Sequence, residues 1–132
     1  MVVTFALTLL LLNILGPCFN VPTVSGSDII YVPSQYSTIQ AAINAAKPGD
    51  TIQVAAGTYY EHIKVNKSVI LRGDNRASIV DGQLSSPMIM NVTVGNVEIS
   101  GFTVRNGGSY GGIWVGTWTQ PPPIKAYVNI TN

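Results

Sequence analysis

The chain has 132 residues, with seven Lys+Arg against six Asp+Glu and a formal net charge of +1. That balance excludes a basic nucleic-acid surface and an acidic tail, and the length suits one domain. Charged residues make up only 10% of the chain, against roughly 25% in a typical soluble domain, while thirteen glycines and eight prolines imply many turns and few solvated helical faces.

The first charged side chain is Asp28. Val2 to Leu15 is almost wholly apolar, Gly16-Pro17 breaks it, and the small residues Thr23-Val24-Ser25-Gly26-Ser27 follow. This is the order of a secretory signal over residues 1–26, cut after Gly26 with Val24 and Gly26 as the small recognition positions. The run falls short of the roughly 20 apolar residues that span a bilayer. With no Lys or Arg ahead of it, an uncleaved anchor is the alternative, and this segment is the chain's one expected membrane contact. Cys18 is the sole cysteine, and Pro17 before it argues against lipidation. An exported chain without disulfides fits a bacterial or archaeal envelope better than a stapled eukaryotic domain.

Residues 27–50 read as a cap. Ile29 to Val32 is a short strand closed by Pro33. Ile39, Ala42, Ile43 and Ala46 then recur at i, i+3, i+4 and i+7, one face of a helix over residues 37–46. Ser37 is its expected N-cap, Lys47 suits the negative pole of its dipole, and Pro48-Gly49-Asp50 ends it.

After Asp50 short β-branched runs alternate with turn residues. Thr51-Ile52-Gln53-Val54 opens them. The order SVILRG, ASIVDG, PMIMNV then recurs as NVEISG, FTVRNG, GGIWVG, and a further pass opens at Tyr127-Val128-Asn129-Ile130. In this alignment Val69 matches Val97, Val80 matches Val104 and Ile89 matches Trp114. Three short strands per repeat of about 25 residues predict a parallel β-helix from 51 to 132. Alternation places Val69, Leu71, Val97, Ile99, Val128 and Ile130 inward. The amphipathic helix is suited to close the first coil, which would otherwise leave an open edge. An antiparallel sandwich is the competing fold. It needs hairpins, and only Asp81-Gly82 and Asn106-Gly107 suit them. The fold class is therefore all-β, a parallel β-helix with an N-terminal capping helix, and the sequence stops inside a new coil, as an N-terminal piece of a longer repeat would.

The stretch STIQAAINAAKPGDTIQVAAGTYYE, with VILRG, SIVDG and VEISGFTVRNGGSYGGIWV after it, resembles the opening of pectin-lyase-like proteins, above all the NosD-like surface repeat proteins. The resemblance covers about residues 29–130 and implies a right-handed helix. It implies little about activity, since one fold hosts many. The aspartates, arginine and glutamines of pectinesterase-like members have no matching positions here, so no catalytic residue carries over.

The remaining chemistry is sparse. Asp50, Asp74 and Asp81 each adjoin a turn partner and read as turn residues, with Asp74 and Asp81 the carboxylate pair closest to an acid–base or Ca²⁺ arrangement. His62 alone, without cysteine, builds no transition-metal site, and one of Met88 and Met90 is core filler. Trp118, Trp114 and Tyr110, with Tyr59 and Tyr60 behind them, are candidates for stacking on sugar rings. Asn66, Asn91 and Asn129 open sequons for glycosylation. The sequence thus favours an exported envelope or extracellular scaffold, structural or binding a cell-surface polysaccharide. The rivals are the opening of a pectinesterase- or lyase-type polysaccharide enzyme and a NosD-like copper-accessory protein.

Overall fold

The computed structural model describes residues 26–116 and the backbone of 127–128. The expected signal segment, Trp118, Asn129 and Ile130 lie outside these residues. Among the described residues eleven short strands and one helix follow one another: β1 (Ile29–Val32), α1 (Ile39–Ala45), β2 (Thr51–Val54), β3 (Gly57–Tyr59), β4 (Ile63–Val65), β5 (Ile70–Gly73), β6 (Ser78–Asp81), β7 (Met90–Val92), β8 (Glu98–Ser100), β9 (Phe102–Arg105), β10 (Ile113–Val115) and β11 (Tyr127–Val128).

Every pairing is parallel and joins strands one turn apart. The first sheet runs β1-β2-β5-β8-β11, the second β3-β6-β9, and the third β4-β7-β10. The molecule is a parallel β-helix of about four turns. The turns differ in length: Thr51 pairs with Ile70, 19 residues on, and Ile70 with Glu98, 28 residues on. Loops at the corners absorb the difference, leaving register intact.

That register stacks like residues. Val32, Val54, Ile52, Leu71 and Ile99 of the first sheet are buried, as are Ile63, Val65, Met90 and Val92 of the third. Each large aliphatic side chain so buried stabilises the fold by about 1.5–3 kcal/mol. The inward placement of Val69, Leu71, Val97 and Ile99 agrees with the alternation, and Val80 stands opposite Val104 as aligned. The third strand of the repeat is shifted: Trp114 pairs with Asn91 and Ile113 with Met90, so Ile89 is not the partner of Trp114. The mismatch follows from chain length, because the corner before β10 uses fewer residues than the one before β7. The turn formed by β2, β3 and β4 is a full coil that the triplet alignment leaves out.

Successive corners come very close. A Cβ on Gly73 would lie 2.3 Å from the Gly101 carbonyl oxygen, and one on Gly101, at φ +75°, would lie 2.4 Å from that of Gly73. Both glycines end the first strand of their repeat, so LRG and ISG record a backbone contact that leaves no room for a side chain.

The helix closes the first turn with Ile39, Ala42 and Ile43 buried. Its start differs from the sequence expectation by one residue. Thr38, not Ser37, is the N-cap, and its Oγ1 accepts from Ala41 N at 3.1 Å. The Gln40 amide that a Ser37 cap would use donates instead to Glu61 Oε2 at 3.0 Å. The C-terminal end departs too: the cation there is Lys67 of the following coil, whose Nζ donates to Asn44 O and Ala46 O at 2.6 and 2.8 Å. Lys47 instead serves through its backbone, its amide donating to Asp50 Oδ2 at 2.7 Å and its carbonyl accepting from Asp50 N at 3.1 Å.

Candidate functional site

The outward face of the third sheet gathers two of the predicted aromatic residues, Tyr110 and Trp114. Alternation along β10 turns Ile113 onto the core and Trp114 the other way, in one column with Asn91 and Lys64. The loop after β9 brings Tyr110 back across this face through backbone bonds from Tyr110 N to Pro87 O and Gly111 N to Gly108 O, at 2.9 and 3.0 Å. The Tyr110 and Trp114 rings then meet edge to face, with centroids 6.1 Å apart and planes at 64°. Tyr110 is 55% exposed, and Trp114 is half-buried. Two of the three predicted stacking residues therefore form one amphipathic platform. Tyr60, on the loop before β4, is exposed, whereas Tyr59 packs on the core and donates its hydroxyl to Ala55 O at 3.0 Å. Burial, joined by the charge of Glu61, pushes the Tyr59 phenol above its usual value.

Asp74 and Asp81 do not act as a pair. Asp81 is buried at the end of β6. It accepts from Arg105 Nε at 2.9 Å, from Asn106 Nδ2 at 3.0 and 3.1 Å, and from Gln83 N at 3.0 Å. These bonds, Asn106's first, hold its carboxyl below the ordinary carboxylate value. Asp74 is exposed after β5, and its backbone amide donates to the buried Ser78 hydroxyl at 2.8 Å. Asp50 is a fastener as well. It accepts from Lys47 N and Asp28 N, and the Lys47 bond leads in lowering its pKa.

Among the described residues no group of three His, Cys, Asp or Glu side chains could hold a metal ion, and no helix is long and apolar enough to cross a membrane. His62 lies exposed, with its Nε2 3.5 Å from Ser85 Oγ. Met90 is wholly buried in the third sheet. Of the two sequon asparagines described, Asn66 is exposed beyond β4. Asn91 is half-buried within β7, its Oδ1 enclosed without a hydrogen-bond partner.

Sequence reasoning did not single out Tyr31, Ser34 and Gln53, which line a depression on the first sheet. Their only early signal is the alternation of β1, which turns Tyr31 outward beside buried Val32. Compared with known proteins, the chain matches no family model, no curated protein and no solved structure.

Proposed function

We propose that the protein is an exported β-helix repeat protein that serves as a scaffold and contacts extracellular or cell-surface polysaccharide. Residues 1–26, with their apolar run and small-residue end, support export. The observation that carries glycan contact is the exposed Tyr110 ring set edge to face against Trp114 on the outside of the stack. A ring face backed by a second aromatic offers the apolar surface on which a pyranose packs, and the partial fixing of both rings lowers the entropy lost on binding. Parallel coils extend such a surface along the stack axis, in step with the repeat of a polymer.

The test is an array of extracellular polysaccharides probed with the full chain, wild type against Tyr110→Ala, Trp114→Ala and Trp118→Ala. Loss of either platform ring should weaken binding about three- to tenfold, the scale of one aromatic contact. Binding that is absent in the wild type, or unchanged in both platform variants, overturns the proposal.

A further inference from the structure

The first sheet carries a separate concave feature on its outward face. It is an open depression of about 400 Å³ where β1, β2 and the corner after β5 meet. Tyr31, Pro33 and Ala55 give it apolar surface, and Ser34, Gln53 and Asp74 give it polar atoms. Tyr31 and Gln53 are register partners, and Arg72 follows in the same column. These three side chains therefore stand on successive rungs about 4.8 Å apart.

Several polar groups here are uncommitted. Asp50, Glu61 and Asp81 all hold backbone or side-chain donors. The exposed Asp74 carboxylate has neither a hydrogen bond nor an ion pair among the described residues, and the same holds for the Ser34 hydroxyl and the Tyr31 phenol. Gln53 uses Nε2 on Arg72 O at 3.3 Å, which leaves Oε1 able to accept. A half-exposed aromatic ring beside several idle acceptors suits a ligand with one apolar face and several O–H donors. Arg72 is exposed in the same outward column as Tyr31 and Gln53, and its formal charge cancels that of Asp74 over this face as a whole.

We propose that this groove is a subsite for one neutral pyranose unit, its ring against Tyr31 and its vicinal hydroxyls donating to the Asp74 carboxylate and Gln53 Oε1. It lies on a different sheet from Tyr110 and Trp114 and stands independently of that platform.

The test uses ¹⁵N-labelled full chain in a sugar-free detergent, titrated with methyl glycosides of glucose, galactose and mannose, and with methyl glucuronide and glucosamine for comparison. At least one neutral glycoside should shift the backbone amides of Ser34, Gln53 and Asp74. Tyr31→Ala and Asp74→Ala should each weaken that binding at least fivefold, and Trp114→Ala should leave it unchanged. The proposal is overturned if no neutral glycoside shifts these amides, or if the shifts survive in both groove variants. It also fails if a charged sugar binds tenfold more tightly than its neutral counterpart, which would mark an ion site. A response confined to residues near Trp114 rejects the groove and leaves the platform standing.

Discussion

Gln40 and Lys64 are joined by reciprocal hydrogen bonds. The Lys64 amide donates to Gln40 Oε1 at 2.7 Å, and Gln40 Nε2 donates to the Lys64 carbonyl at 3.3 Å. A side-chain carboxamide has the same donor and acceptor as a peptide group, so one glutamine of the capping helix stands in for the strand missing beyond β4. The third sheet begins at β4, while β1 covers the corresponding edge of the first sheet. The helix thus shields the interior with Ile39 and Ile43 and pairs the backbone edge with Gln40.

Replacing Gln40 with Ala should therefore cost about 0.5–1.5 kcal/mol for the lost bonds. Gln40→Glu should cost less, because a carboxylate still accepts from the Lys64 amide although it cannot donate to its carbonyl. Both variants free an edge strand, so self-association should rise as well. Urea denaturation gives the first effect and sedimentation the second. Wild-type stability in both variants would show that the edge needs no such cover.

Glu61 holds the same helix at its N-terminus, accepting from the amides of Ile39 and Gln40, both at 3.0 Å. A carboxylate at a helix N-terminus satisfies orphan donors and meets the positive end of the dipole. Glu61→Ala should lower stability by about 1–2 kcal/mol and speed hydrogen exchange at Ile39 and Gln40. Exchange at Leu71 and Ile99, deep in the stack, should follow only the global change.

Much of this was legible in the sequence. The period-2 alternation, the repeated strand triplet and the i, i+3, i+4 apolar face of the helix are local patterns, and burial follows them. The capping contacts were not legible, because Glu61, Lys64 and Lys67 reach α1 from the next coil, 21 to 24 residues along the chain. The β10 register was hidden by unequal corners, since a repeat read by letter order assumes equal spacing. The aromatic platform was half visible: composition flagged Tyr110 and Trp114, but only the returning loop shows that they touch. The groove at Tyr31 had only the alternation of β1 to betray it, as its polar groups come from three different strands or corners.

The glycine corner gives a graded prediction. Gly73→Ala and Gly101→Ala each drive a methyl into the backbone of the neighbouring coil, and should cost at least about 2–3 kcal/mol. Gly49 supplies the comparison: its φ is +95°, but nothing lies within 4 Å of an added Cβ. Gly49→Ala should then show only the backbone term of about 1–2 kcal/mol. Equal costs at all three sites, measured by chemical denaturation, would refute steric contact between coils.

The Asp81 corner predicts how stability falls in acid. Bonds from Asn106, Gln83 and Arg105 lower the Asp81 pKa in the folded chain below its ordinary 3.8, and the Lys47 and Asp28 amides do the same for Asp50. A carboxyl with a depressed folded pKa binds its proton more readily once unfolded. Its contribution is therefore complete above the unfolded value and drains away as pH drops through the folded one. Stability should be level with respect to these two groups from neutral pH to about pH 5, then decline below about pH 4. Asp81→Asn keeps the shape of the side chain but removes its titration and its attraction for Arg105. The variant should be less stable than wild type at pH 7 and should lose less between pH 5 and pH 3. Urea midpoints at the three pH values measure both effects, and parallel acid losses in the two proteins would mean that Asp81 does not govern the acid limb.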